Sequence, residues 1–290
     1  MSPQVTSLDE HWTIVDDRPM FYRASTDLAP PGATPIVHVH GFGISGRYLV
    51  PTAERLAHLH PTYVPDLPGY GRSISPDRAL TIPELATALA SFLDVIGISR
   101  VILLGNSMGC LISLEFARAF PDRIESAILV SPAGGPHNQP LYRGLSQLAR
   151  DSVKEPVRLL PVAAPDYIRF GAANSLRLFH AMTTYPTVDI AMQLDLPILV
   201  VAGANDPLVS HENLQLLVEN KPNMTFVILD GGAHALNFSH PERLAAIFES
   251  WTEQQSIGPN IDLARDIQVF ESEVLGESEE LDNAAVDTDL

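Results

Sequence analysis

The chain has 290 residues, 46% of them hydrophobic, and a formal net charge of −17. That length and apolar content suffice to bury a sizeable core, which excludes a disordered body or a mini-protein scaffold. The negative charge argues against nucleic acid or an anionic membrane as partner, and the one cysteine, Cys110, excludes an intrachain disulfide or a cysteine-based zinc cluster.

The opening residues, Met1 to Trp12, include acids where a signal peptide would carry a basic stretch and an apolar run. No apolar stretch approaches the ~18 residues of a membrane span. A soluble cytoplasmic protein is the expectation. Trp12–Val15 and Met20–Arg23 flank the turn-like Asp16-Asp17-Arg18-Pro19 and predict a hairpin. Short apolar runs follow at Ile36–Val39, Tyr63–Pro65, Val101–Leu104, Ala127–Val130, Ile198–Ala202 and Thr225–Leu229. Continuous runs of this length fit strands buried on both faces of a parallel sheet. Tyr63–Pro65 is the weakest, because it ends in proline.

Helical patterns lie between the runs. Leu85, Leu89, Phe92, Leu93 and Ile96 recur at helical spacing after Thr81-Ile82-Pro83-Glu84, an N-cap followed by proline in the first turn. Leu111, Leu114 and Phe116 form a second pattern, Leu214, Leu217 and Val218 a third, and Leu244, Ile247, Phe248 and Trp251 a fourth. Alternating strands and helices predict an α/β fold with helices on both faces of the sheet.

The stretch from His137 to Asp195 breaks that alternation. Pro140, Pro156, Pro161, Pro165 and Pro186 cut it into short helical pieces. It is too long for a plain loop and reads as a helical cap. From Ile257 to Leu290 ten acids stand against one base, Arg265, so this tail alone carries −9. It has faint helical periodicity (Leu263, Ile267, Phe270, Val274) and is expected to be largely disordered. The predicted organisation is a core over 10–136 and 196–256, a cap over 137–195 and a tail over 257–290.

Gly105-Asn106-Ser107-Met108-Gly109 follows the run Val101–Leu104 and precedes a helix, giving G-x-S-x-G at a strand-to-helix turn. Gly105 and Gly109 lack side chains because the serine must occupy a sharp, strained turn. The turn lifts the hydroxyl clear of the sheet at a helix N-terminus, where developing negative charge is stabilised.

A serine needs a base near pKa 7 and a group to orient that base. Asp206 lies four residues past Ile198–Ala202, and His234 lies past Thr225–Leu229 in Gly231-Gly232-Ala233-His234. Both fall in loops at strand C-terminal ends, where open α/β sheets place their sites. Asp206 alone would read as a turn aspartate or helix cap, and His234 alone as a surface histidine. Their joint placement favours catalysis. The position after the preceding strand, Ser131-Pro132-Ala133, offers no rival carboxylate.

An oxyanion needs at least two backbone donors. Met108, just after the nucleophile, supplies one, and Phe42 in His40-Gly41-Phe42-Gly43 the other. Gly41 and Gly43 let that main chain approach the substrate. His40 is expected to hold the loop rather than act as a second base. His38 and His40 share a face but no third ligand is evident, so no metal is expected.

These motifs, with Asp66-Leu67-Pro68-Gly69-Tyr70-Gly71-Arg72-Ser73 and Gly203-Ala204-Asn205-Asp206-Pro207, resemble the α/β-hydrolase superfamily in its esterase, lipase and C–C hydrolase branch. The resemblance covers about residues 10–255. It implies an α/β-hydrolase fold: a mostly parallel eight-stranded sheet flanked by helices, with a helical cap inserted after the sixth strand. It implies the catalytic roles given above, no cofactor, and a small-molecule substrate. Cys110 departs from the glycine common there; it should pack against the neighbouring strand rather than react. Dehalogenases and epoxide hydrolases of this fold use an aspartate nucleophile, and Ser107 occupies that place.

Gly41-Phe42-Gly43-Ile44-Ser45-Gly46 also spells G-x-G-x-x-G, and Asp66 follows the next strand, the outline of a dinucleotide-binding fingerprint. That reading leaves Ser107, Asp206 and His234 unexplained. The expected function is a serine hydrolase of a carboxylic ester with a small to medium, mainly apolar substrate. The alternatives are the same machinery on a C–C bond, thioester, lactone or amide, acyl transfer to another acceptor, or a non-catalytic ligand receptor. Phe179, Met182 and Tyr185 are candidates to line the pocket or to pack the cap. The six bases of the cap, Arg143, Arg150, Lys154, Arg158, Arg169 and Arg177, read as solvated charges, with one as a candidate for a substrate carboxylate.

Overall fold

The computed structural model describes residues 6–26, 28–133, 154–219 and 221–257. The first part of the predicted cap, to 153, and the acidic tail from 258 lie outside the described residues. Eight strands among them form one sheet: β1 (Asp9–Val15), β2 (Arg18–Ser25), β3 (Ile36–Val39), β4 (Thr62–Pro65), β5 (Val101–Asn106), β6 (Ile124–Val130), β7 (Ile198–Gly203) and β8 (Met224–Leu229). Their spatial order is β1-β2-β4-β3-β5-β6-β7-β8. β1 and β2 form the antiparallel hairpin expected from the sequence, β2 pairs antiparallel with β4, and every other pair is parallel.

The runs read from the sequence fall within these strands, and every strand but β3 extends beyond its run, β2 taking in Arg18 and Pro19 of the expected turn. β5 continues through Asn106 to the turn at Ser107, and β6 starts at Ile124, opposite Val101. The Tyr63–Pro65 run is a genuine strand. Its proline terminates the pairing opposite Tyr22, where a missing N–H costs the ladder least.

The helices are α1 (Val50–Leu56), α2 (Ile82–Val95), α3 (Met108–Ala119), α4 (Leu160–Phe170), α5 (Ala172–Thr183), α6 (Thr187–Gln193), α7 (His211–Glu219), α8 (Leu236–Ser239) and α9 (Pro241–Ile257). α2 starts where the sequence predicts. Thr81 accepts from the Glu84 N–H while the Glu84 carboxylate accepts from the Thr81 N–H at 2.8 Å, a capping box. Its buried face, Leu85, Leu89, Phe92 and Leu93, packs in one apolar cluster with α3 and with Val37, Val39, Val101 and Leu103 of the sheet. Val64, on the other face, clusters with Tyr48, Leu49 and Ala53. The alternation of strand side chains thus divides the core between the two faces.

Between β6 and β7 the described residues hold a 3-10 turn, Val157–Leu159, and helices α4, α5 and α6. Pro165 does not break α4, as the sequence suggested, but lies inside it. The lost hydrogen bond would have gone to the Pro161 carbonyl, and both prolines are exposed, so water can serve that carbonyl. By contacts the chain divides into Met1–Ala245 and Ala246–Leu290; the described part of the second unit, 246–257, is the later part of α9.

Candidate active site

The four site loops leave the C-terminal ends of β3, β5, β7 and β8, all parallel. Ser107 is the turn between β5 and α3. Its φ of 56° and ψ of −117° lie where a non-glycine residue is strained. It is the single residue of 101–117 that is not buried. The flanking glycines are required by close approach. A Cβ on Gly105 would lie 2.5 Å from the Gly109 carbonyl carbon, and one on Gly109 would lie 2.0 Å from the Val39 carbonyl oxygen. Met108 is the first residue of α3, where backbone N–H groups have no helical partner.

The Ser107 N–H donates to the Val130 carbonyl at 3.0 Å. Asn106, one residue earlier, donates through Nδ2 to the carbonyls of Val130 at 3.1 Å and His234 at 3.2 Å. The turn at Ser107 and the His234 loop are therefore joined through Asn106. Gly41 backs onto Ser107: a Cβ built there would be 3.3 Å from the serine Cβ.

Asp206 and His234, 28 residues apart, meet at 2.8 Å between Oδ2 and Nδ1. Both are buried. The other carboxylate oxygen accepts from the Leu208 N–H at 2.8 Å, so Asp206 orders its own turn as well as the ring. Burial pushes the Asp206 carboxyl up, but the His234 charge and hydrogen bond, the Leu208 amide and the Ser131 hydroxyl together hold it below the usual value. With Nδ1 donating to that carboxylate, Nε2 is the ring's acceptor nitrogen.

Phe42 is buried, and its ring meets Tyr167 at 6.2 Å, Phe170 at 5.8 Å and Phe179 at 5.9 Å. The helical segment between β6 and β7 thus covers the His40–Gly43 loop with aromatic rings. His40 holds that loop. Nε2 accepts from the Leu67 N–H at 3.0 Å and Nδ1 faces the Gly41 carbonyl at 3.0 Å, and burial pushes its pKa down. These bonds tie both ring nitrogens to main chain of the 40–43 and 66–73 loops. His38, by contrast, is fully buried with no hydrogen-bond partner at either nitrogen among the described residues. No group of three or more metal-ligating side chains occurs among the described residues.

Other expectations resolve individually. Cys110 is buried, with Sγ 3.2 Å from the Gly105 carbonyl and 3.4 Å from the Val130 carbonyl on the neighbouring strand. Burial raises its thiol out of the reactive range. Of the three pocket candidates, Phe179 meets the site loop, Tyr185 hydrogen-bonds Glu115 on α3, and Met182 is buried in the main cluster. The bases Lys154, Arg158 and Arg169 are exposed, and each also donates to a main-chain carbonyl, of Asn205, Phe238 and Gly71 respectively.

The dinucleotide fingerprint has no available acid. Asp66 accepts from the Gly46 N–H at 2.9 Å and the Arg72 N–H at 3.0 Å, so it locks two loops. Sequence reasoning missed Tyr48, whose hydroxyl accepts from the Gly41 N–H at 2.9 Å, and Glu155, which accepts from the Ala235 N–H at 2.7 Å. Neither sits in a motif, and the contacts of Tyr48 with Asn106 and of Glu155 with Ala235 span 58 and 80 positions.

Residues 36–247 match the model of a family described as the alpha/beta hydrolase family. A "Putative carbamate hydrolase RutD" of Pseudomonas savastanoi pv. phaseolicola is 29% identical over 224 residues, 69% of this chain and 86% of that protein. A pimeloyl-[acyl-carrier protein] methyl ester esterase of Pectobacterium carotovorum subsp. carotovorum is 28% identical over 244 residues, 73% of this chain and 91% of that one. Among solved structures, the enol-lactonase from Burkholderia xenovorans LB400 superposes with a TM-score of 0.69 at 19% identity, covering 84% of this chain and 100% of that one. No helix among the described residues is long and apolar enough to cross a membrane.

Proposed function

This chain belongs to the alpha/beta hydrolase family and is a hydrolase, and from that premise we propose that it cleaves a carboxylic ester through an acyl-enzyme formed on Ser107. The observation that carries the reading is the 2.8 Å contact of Asp206 Oδ2 with His234 Nδ1, on a loop hydrogen-bonded to the residue preceding a strained Ser107.

In this reading His234 Nε2 takes the proton from Ser107 Oγ as the oxygen attacks the carbonyl carbon. Asp206 holds the ring in the tautomer that accepts at Nε2 and stabilises the imidazolium. The amides of Phe42 and Met108 receive the oxyanion. The alcohol leaves with the proton from His234, and water repeats the two steps to free the acid. The helical segment between β6 and β7 serves as a cap. Its aromatic residues Tyr167, Phe170 and Phe179 around Phe42 favour a small to medium, mainly apolar acyl or alkyl group.

A fluorophosphonate probe tests the nucleophile, and a panel of p-nitrophenyl esters of graded chain length tests the bond. Labelling at Ser107 and loss of turnover in Ser107→Ala are the expected results. Full esterase activity in Ser107→Ala would overturn the reading. The name of the Pseudomonas savastanoi relative motivates a second reading, hydrolysis of a carbamate by the same groups. Labelling without cleavage of any ester, together with ammonia release from a carbamate, would select it.

A further inference from the structure

Two consecutive residues of the helical segment reach both loops assigned to the acid and the base. Lys154 Nζ donates to the carbonyl of Asn205, adjacent to Asp206, at 2.8 Å. Glu155 Oε1 accepts from the N–H of Ala235, adjacent to His234, at 2.7 Å. Farther along the segment, Asp166 Oδ2 accepts from the Ser45 N–H at 2.8 Å, beyond the loop that carries Phe42.

Resting on the acyl-transfer reading above, we infer that Glu155 is a second carboxylate to His234, a positioning residue that holds the histidine loop through the Ala235 amide and favours positive charge on the ring. A clamp needs one acceptor oxygen, which an amide side chain would also supply. Glu155 presents more than that. Its second oxygen, Oε2, is shielded from water and has no hydrogen-bond partner among the described residues. A carboxylate oxygen left dehydrated and unpaired is costly unless a cation faces it.

The charged and titratable groups that interact with Glu155 are His234, Asp206 and the phenol of Tyr48; the Lys154 amine is exposed and engaged at Asn205. Of these, the imidazolium of His234 is the cation that arises and disappears during the cycle. His234 thus has two carboxylates nearby, one from the Asp206 loop bonded to its ring and one from the helical segment bonded to the amide of the next residue. The balance of forces on Glu155 agrees with that placement. Burial raises its carboxyl, the Ala235 and His234 amides and the His234 charge oppose the rise, and Asp206 adds to it. Because Glu155 belongs to the cap, seating of the cap and readiness of the base become one event.

The rate of Ser107 phosphonylation by a fluorophosphonate probe reports on the base without needing the natural substrate. It is measured against pH for the full chain, Glu155→Gln and Glu155→Ala, with circular dichroism as the check on folding. Glu155→Gln keeps an acceptor for Ala235 and loses the charge, so its acid limb moves to lower pH by about half a unit or more. Glu155→Ala also loses the tie, and its labelling rate falls by about 100-fold. Should Glu155→Ala not fold, Glu155→Gln decides alone. An acid limb in Glu155→Gln that coincides with the unsubstituted chain overturns the inference, as does full-rate labelling of Glu155→Ala. Failure of the probe to label Ser107 in the unsubstituted chain overturns the acyl-enzyme reading instead.

Discussion

The hydroxyl of Tyr48 donates to Oδ1 of Asn106 across 2.6 Å. The Tyr48 hydroxyl oxygen in turn accepts the Gly41 N–H, and Asn106 donates onward to the His234 carbonyl. One phenol and one amide therefore tie the 40–43 loop, the turn at Ser107 and the His234 loop together. Burial lifts the Tyr48 phenol well above its ordinary range, so it stays a donor at all working pH values.

Tyr48→Phe leaves the Gly41 N–H and Asn106 Oδ1 buried without this partner. The expected cost is about 1–3 kcal/mol in stability, read from urea unfolding. The loop that presents the Phe42 amide also loses its anchor, so kcat should fall more than KM rises. Unchanged stability and unchanged kcat together would remove Tyr48 from the account.

Asp206→Asn retains an oxygen for the Leu208 amide but presents an amide to the ring. The imidazole then loses its charge partner and its fixed tautomer, and kcat should fall by about 10⁴-fold with KM little altered. Steady-state kinetics on the best p-nitrophenyl ester checks this. A loss under tenfold would mean that another group orients His234.

Gly109→Ala separates helix propensity from packing. Propensity alone favours alanine by about 1 kcal/mol in a helix interior. The new Cβ, however, would lie 2.0 Å from the main-chain oxygen of Val39, which cannot rotate away. Net destabilisation of about 3 kcal/mol is expected, measured by chemical unfolding. A more stable variant would show that β3 and α3 are less tightly joined than described.

His38 governs part of the acid sensitivity. Burial pushes its pKa down from 6.5 to about 3, so the folded chain refuses a proton that the unfolded chain accepts. Its contribution is fully present above the unfolded value and is lost as pH falls through the window between 6.5 and about 3. The slope there is about 1.4 kcal/mol per pH unit. His38→Leu removes two unpartnered nitrogens and should flatten that slope while leaving stability at pH 7 equal or higher. Urea midpoints from pH 7 to 4 test it, and parallel curves for the two proteins would contradict it.

Local constraints write themselves into local sequence. Gly105 and Gly109 stand where no Cβ fits, β3 is apolar but for His38 and β5 opens on the apolar run Val101–Leu104 because both faces are covered, and Thr81 with Glu84 caps a helix using four neighbouring residues. These features made the strands, the turn at Ser107 and the start of α2 readable. Ser107, Asp206 and His234 stood out as candidates for a related reason: each follows a recognisable strand at the same edge.

The residues that join those loops left no such mark. Tyr48 meets Asn106 across 58 positions, Asp166 meets Ser45 across 121, and Glu155 meets Ala235 across 80. Nothing within a few residues of Tyr48 or Glu155 requires a phenol or a carboxylate there. The requirement arises only when the parallel strands bring distant loops to one edge and the inserted helices lie across them. By itself, then, the sequence determined the fold class and the candidate reacting groups, because backbone geometry and strand burial are short-range demands. Tertiary structure alone decided which side chains hold those groups in place, because a hydrogen bond between distant segments exists only after the sheet order is set.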